Sequence, residues 1–434
     1  MLKGLRKDGL FSGAFIYLIS NILNAAIPFL LLPVLTRYLE PEGYGQVAMF
    51  QTLISALAAF TGLNTIAAAN RIYYDDLQRQ EMADYVSACV QILIVSSLLV
   101  FLAVSFFRIP LSRELGIDPF WILMGILVSA ATFLVRLRLG QWQVRKQATK
   151  YGAMQIAMSL LNALVSLFLV VVLVYGPEGR MIGQSIAPLM IGLLALFLLR
   201  RDGLLSFSWK PGFIKDAMQF GVPLIPHVAG IFLLSMVDRL VVNKYLGLES
   251  AGIYMVAVQL TMVMGILFDA FNKAYMPWLF EKLKENDIHV KAKIVNWTYG
   301  YFLLALVIAV TVALLGPTAV VWLAGDRYSA AASIMGWLAL GQAFNGMYLM
   351  VTNYMFYSKR TGILSVATIS SGLLNLLLLV MLVPALGLEG AAMSFAIVMI
   401  IRFLCTWLLA QKCFPMPWFA TPRIFIAKEI SRFF

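Results

Sequence analysis

From Leu10 to Leu39 the chain runs 30 residues with a single charged side chain, Arg37. A helix of that length crosses a hydrocarbon core of about 30 Å, and comparable stretches recur to the end of the sequence. About twelve are expected, near 11–37, 44–70, 83–107, 119–140, 152–175, 180–200, 216–245, 250–280, 294–315, 330–357, 361–385 and 388–411. Inside lipid every backbone amide and carbonyl needs a partner, which leaves helices and closed barrels. Continuous apolar runs without period-two alternation select helices. The expected fold is therefore an all-α integral membrane bundle. Composition points the same way, with 61% hydrophobic and 12% charged residues and a mean hydropathy of +0.86, far from soluble domains. The first run is too long for a signal-peptide core and has no small-residue cleavage site, so it is expected to remain as a helix. Cys89, Cys405 and Cys413 are odd in number and lack metal-site or disulfide spacing, so they read as small core residues. No metal and no cofactor is expected.

Charge between the runs sets an orientation, because Lys and Arg stay preferentially on the cytoplasmic side. With the N-terminus inside, the cytoplasmic segments hold 25 of the 33 Lys and Arg. The opposite side holds six, Arg37, Arg108, Arg113, Arg180, Lys244 and Arg327, while Arg239 and Arg402 fall within spans. Both termini are expected in the cytoplasm. Leu2, Leu5, Leu10 and Phe11 interleave with Lys3, Arg6 and Lys7, and Phe419, Ile424, Ile426, Ile430 and Phe433 with Arg423, Lys428 and Arg432. That pattern fits amphipathic segments lying on the inner leaflet, at 1–10 and 412–434. Topology and attraction to membrane lipids thus absorb the net charge of +12, leaving no nucleic-acid partner to invoke.

Two echoes suggest a repeat. LTRYLEPEGYGQVAMFQTL (35–53) is partly repeated in VVNKYLGLESAGIYMVAVQL (241–260), with Tyr38 and Tyr245 standing 207 residues apart. GPEG at 176–179 matches GLEG at 387–390, 211 residues on. Offsets this close, each joining span n to span n + 6, imply two six-helix lobes, 11–210 and 211–411. Six is even, so the lobes form a parallel repeat about an axis along the membrane normal. Such a duplicated bundle suggests a transporter that rocks one lobe against the other. Enzyme signatures are missing: there are two histidines, no His/Cys cluster, no G-x-S-x-G and no P-loop, so no catalytic residue is assigned.

Charged and polar residues within spans are the candidates for function. Asp238 and Arg239 in SMVDRLVVNKYLG stand where the first lobe has Leu31 and Leu32. They read either as a site, with Arg239 for substrate and Asp238 for ion coupling, or as a pair tied to neighbouring helices. Pro223, Pro226 and His227 interrupt span seven, and His227 reads either as an ion-coupling group or as a residue that packs through a hydrogen bond. Asp269 and Lys273, four apart on span eight, share a face and either neutralise each other or serve coupling and substrate. Asn21 and Asn24 share a face of span one and line a cavity or bridge helices. Arg71 either snorkels or grips an anionic headgroup.

SNILNAAIPFLLLPVLTRYLEPEGYGQVAMFQ, VDRLVVNKYLGLESAGIYMVAVQL and GLEGAAMSFAI together resemble the bacterial polysaccharide exporters of the O-antigen flippase (Wzx-type) family. The resemblance covers essentially the whole chain. It implies the multidrug/oligosaccharidyl-lipid/polysaccharide exporter superfamily and movement of a polyprenyl-diphosphate-linked oligosaccharide from the inner to the outer leaflet of the bacterial inner membrane. It also implies association with glycan polymerase and chain-length machinery. A diphosphate–sugar head cannot cross hydrocarbon unaided, so cations and hydrogen bonds in a wet cavity must receive it. The competing readings are a drug/cation antiporter of the same superfamily, a major-facilitator carrier, and a membrane-embedded polysaccharide polymerase or ligase. The cations lean against the antiporter, the loop RIYYDDLQRQEMADY against the major-facilitator carrier, and the short outer connection near 107–119 against the polymerase or ligase.

Overall fold

A computed structural model of the 434-residue chain describes residues 8–75, 77–206, 208–360 and 362–419. The terminal amphipathic segments expected at 1–10 and 412–434 therefore lie largely outside the described residues. Among the described residues the chain is helical throughout. The helices are α1 (Asp8–Tyr38), α2 (Pro41–Leu57), α3 (Thr65–Arg71), α4 (Arg79–Leu115), α5 (Pro119–Val144), α6 (Ala148–Leu167) and α7 (Gly176–Arg201). After them come α8 (Pro211–Gly221), α9 (Ile225–Ser235), α10 (Val237–Lys284), α11 (Ile288–Ala324), α12 (Met335–Tyr357) and α13 (Gly362–Cys413).

Local chemistry sets the ends. Pro41 and Pro119 open α2 and α5, where a missing N–H costs nothing. Asp118 caps α5 by accepting the Phe120 N–H at 2.7 Å. Gln78 and Glu81 form a capping box at the start of α4, and Gly116 in the left-handed region (φ 66) closes it. The longest outer connection expected from sequence, 107–119, is thus mostly helix and shrinks to 116–118.

Among the described residues ten helices are long and apolar enough to cross a membrane, or eleven if α2 and the following Thr61–Tyr74 stretch, bent by 58°, form one broken span. The count falls short of the expected twelve because spans eleven and twelve run on as one helix, α13, while α10 takes in the end of span seven, whose beginning stands apart as α8 and α9. α10 holds 48 residues and α13 holds 52, about 72 and 78 Å at 1.5 Å per residue. Each carries one glycine with a non-helical backbone, Gly247 (φ 85, ψ 174) and Gly387 (φ 61, ψ −138). The break after α2 has a similar local cause: Gly62, Leu63 and Asn64 are all left-handed. Hydroxyl groups serve the freed backbone there. Ser96 Oγ accepts the Gly62 N–H at 2.8 Å, and Thr61 Oγ1 donates to the Leu57 carbonyl at 3.1 Å.

The chain divides into two compact units, Met1–Met255 with Leu323–Arg327, and Val256–Trp322 with Tyr328–Phe434. In the first, Met82, Tyr85 and Cys89 of α4 form a core with Phe133 and Leu137 of α5 and Leu199 of α7. In the second, an aromatic core joins Phe302, Tyr354 and Phe403 to Trp418.

Within the first unit α2 and α10 meet at two glycines. A Cβ on Gly45 would lie 2.0 Å from the Leu248 carbonyl oxygen, and one on Gly252 would lie 1.9 Å from the Pro41 carbonyl oxygen. Leu248 and Gly252 stand 207 residues after Pro41 and Gly45, so the contact is reciprocal. No side chain fits at either position.

Candidate functional site

Expected span seven is built from short pieces. α8 ends at Gly221, Val222–Leu224 turns as a 3₁₀ helix, and α9 begins with Pro226 in its first turn. Pro223 and Pro226 have no N–H to give, which accounts for this first break. A second break follows Ser235, where Met236 leaves the helical region (φ −134, ψ −26).

Asp238 and Arg239 sit at that second break. In an unbroken helix the Arg239 N–H would bond the Ser235 carbonyl. Here the N–H goes to Asp238 Oδ1 at 2.9 Å, and Ser235 O instead accepts from Arg239 Nη1 at 2.7 Å. Arg239 Nη1 lies 3.4 Å from Asp238 Oδ1, and the Tyr254 hydroxyl donates to Asp238 Oδ2 at 2.9 Å. The sulfurs of Met236 and Met255 complete the guanidinium's surroundings at 3.0 and 3.1 Å. A cation at the last carbonyls of α9 and an anion in the first turn of α10 suit both helix dipoles. The Arg239 and Asp238 side chains are only 4% and 8% exposed. This geometry favours internal pairing over direct contact with a ligand.

The other predicted residues fall into separate local arrangements. Asn21 Oδ1 accepts from Gln155 Nε2 at 3.2 Å and Asn24 Oδ1 accepts from Ser159 Oγ, so both asparagines tie α1 to α6. Asp269 and Lys273 form a half-exposed ion pair at 2.6 Å on α10. Arg71 pairs with Asp75 at 3.4 Å, also half-exposed, and lies 5.8 Å from the Phe220 ring centre. His227 on α9 has a buried Nδ1 with no hydrogen-bond partner among the described residues. Such a nitrogen is a loose end that a bound water could satisfy.

Sequence reasoning placed Arg136 and Arg138 in a cytoplasmic connection. α5 continues to Val144 and carries both. Arg138 is buried, paired with Asp202 and stacked 4.3 Å from the Trp142 ring centre. Arg136 is exposed, eight residues or about 12 Å from the helix end. The signal was present in VRLRLGQW, where apolar residues continue past both arginines. Arg402, also within a span, lies over the Tyr348 ring at 3.7 Å, a cation–π contact within the second unit.

The sequence profile of a family described as polysaccharide biosynthesis protein matches residues 10–283. A protein of the Lsg locus of Haemophilus influenzae is 25% identical over 414 residues, covering 91% of this chain and 97% of its own. The succinoglycan biosynthesis transport protein ExoT of Rhizobium meliloti is 24% identical over 358 residues, covering 77% of this chain and 66% of its own. The solved lipid II flippase MurJ in an inward closed conformation aligns with a TM-score of 0.73 at 14% identity, covering 97% of this chain and 93% of that one. At that identity the likeness establishes a shared fold.

Proposed function

The chain belongs to the polysaccharide biosynthesis protein family, and from that premise we propose that it is a flippase for a polyprenyl-diphosphate-linked oligosaccharide, working by alternating access. The family match over 10–283 is the observation that carries this reading. A relative named as a polysaccharide transport protein and a fold shared with a lipid flippase support it. Physical chemistry supports it too. A diphosphate–sugar head needs cations and hydrogen bonds to leave the aqueous phase, while its tail needs an apolar path. Arg136 offers an exposed cation on α5 of the first unit, and Lys273, paired with Asp269, is a half-exposed cation of the second. For the tail, the second unit has an apolar recess of about 610 Å³ lined by Leu267, Phe268, Phe271, Trp297, Tyr301 and Leu304. Asp269 and His227 are the residues we propose for coupling to an ion gradient.

The architecture we propose is twelve crossings in two parallel six-helix lobes, 11–210 and 211–411, with both termini on the cytoplasmic side of a bacterial inner membrane. Breaking α13 at Gly387 gives two pieces of span length, and the break at Gly247 separates a short first piece of α10, which completes span seven with α8 and α9, from span eight. The reciprocal Gly45–Leu248 and Gly252–Pro41 contact supports the repeat, because a two-fold axis makes each half present the same patch to the other. The positive φ shared by Gly176 and Gly387 supports it as well.

The test is a chromosomal deletion in the source bacterium. Surface glycan should disappear while the complete lipid-linked repeat unit accumulates on the inner leaflet. Loss of polymer with transported units waiting unpolymerised in the outer leaflet would instead make the protein a polymerase or ligase.

A further inference from the structure

At one end of the first unit two arginines line one cavity. There the 3₁₀ turn Ile72–Tyr74, the start of α4, the end of α5 and the segment after α7 surround a cavity of about 470 Å³. It is lined by Tyr73, Tyr74, Leu77, Arg79, Arg145 and Leu204, with Met82 beneath. Among the described residues Asp202 is engaged with Arg138 and Arg201, Asp75 with Arg71, and Glu81 with the Gln78 N–H. Arg79 and Arg145 make no ion pair among the described residues. Arg79 Nη2 donates to the Asp202 carbonyl at 3.1 Å, an approach left open by Gly203, where a Cβ would lie 3.0 Å from that nitrogen. Arg145 Nη1 donates to Gln141 Oε1 at 2.6 Å and to the Gln141 carbonyl at 3.2 Å, and the guanidinium lies 5.0 Å from the Tyr73 ring centre.

Each guanidinium has five N–H donors, so both keep donors beyond these bonds. Carbonyl and amide oxygens orient them without cancelling their charge. Two oriented arginines flanked by tyrosines and facing one cavity form an anion receptor whose fork geometry suits phosphate oxygens. Leu77, Met82 and Leu204 supply an apolar wall, and the volume is within the range of small-ligand pockets, far larger than a bare phosphate needs.

We propose that this cavity binds the phosphate of a phosphoester carrying a small, partly apolar substituent, with Arg79 and Arg145 holding the phosphate. The site is distinct from the residues offered above for the transported diphosphate. Its ligand chemistry has two sources, an anionic lipid headgroup of the adjoining leaflet or a soluble phosphoester.

The test uses the full-length protein in nanodiscs. Binding of phosphatidylglycerol, with phosphatidylcholine as the uncharged background, is read by native mass spectrometry and thermal shift. sn-Glycerol 3-phosphate is titrated separately. Saturable binding of phosphatidylglycerol alone identifies the leaflet lipid, and competition by glycerol 3-phosphate at millimolar concentration identifies a soluble ligand. Arg79→Gln and Arg145→Gln should each weaken binding about ten-fold. Arg201→Gln, which removes equal charge outside the cavity, should change it less than two-fold. Tyr74→Phe on the exposed turn provides a variant that should fold normally and weaken binding two- to five-fold. Wild-type affinity in both arginine variants, equal loss in Arg201→Gln, or no saturable binding of either probe overturns the proposal. If the glutamine variants do not fold, unchanged affinity in Tyr74→Phe together with Arg145→Lys does so.

Discussion

Removing one member of the Asp238–Arg239 pair leaves the other charged and buried. Arg239→Ala strands a carboxylate whose remaining donors are the Tyr254 hydroxyl and the Arg239 N–H, both at 2.9 Å, and it releases the Ser235 carbonyl at the α9–α10 break. Asp238→Ala strands a guanidinium held by one carbonyl and two thioethers. Breaking a buried ion pair from one side costs about 3–5 kcal/mol, a large share of the ~5–15 kcal/mol that keeps a protein folded. The double variant Asp238→Leu/Arg239→Leu copies Leu31 and Leu32, which are themselves 5% and 0% exposed, and removes both charges. It should recover most of the loss. What remains is the Tyr254 hydroxyl with no acceptor, about 1–3 kcal/mol, and adding Tyr254→Phe should recover part of that. Melting temperature in detergent and yield of monodisperse protein should therefore rise from either single variant to the double to the triple. Glycan export should follow the amount of folded protein. The reasoning fails if Arg239→Ala is as stable and abundant as wild type yet exports nothing, because the guanidinium would then act on the substrate.

Three further outcomes follow from the same geometry. Gly45→Ala or Gly252→Ala places a Cβ about 2 Å from a carbonyl oxygen, so the helices must part and monodisperse protein should fall several-fold in size-exclusion profiles; normal yield would mean the contact is not as tight as described. Arg136→Gln should leave folding unchanged and reduce export at least ten-fold, with Arg136→Lys partly active, as expected of a cation that meets the substrate. Cysteines placed at Gly43 and Asp326 should label from the periplasm, whereas those at Gln78, Lys146, Lys284 and Lys359 should not, and an inverted pattern would reverse the proposed orientation.

The bundle was legible because lipid allows so few solutions. A long apolar run without alternation has to be a helix, and the windows located almost every one of them. Connections were harder to read. Gly247 and Gly387 appear as turn glycines in the sequence, yet only their backbone angles show that the helix resumes within a residue or two. The ends of α4 and α5 were misjudged because Arg108, Arg113, Arg136 and Arg138 looked like loop residues. Whether an arginine ends a helix or continues it depends on its partner in space. For Arg138 that partner is Asp202, 64 residues away.

The same limit governs the candidate site. Sequence can mark a charge in a span as costly, but it does not say how the cost is met. Arg239 and Arg136 carry identical chemistry on apolar helices. One is enclosed by Ser235, Asp238 and two methionines, while the other is exposed on α5. A buried guanidinium already held by a carboxylate and a backbone carbonyl has less affinity left for a diphosphate, since binding would compete with those bonds. An exposed one keeps its donors open to an incoming anion. The contrast shifts the search for the substrate contact from Arg239, the more conspicuous residue in the sequence, to Arg136.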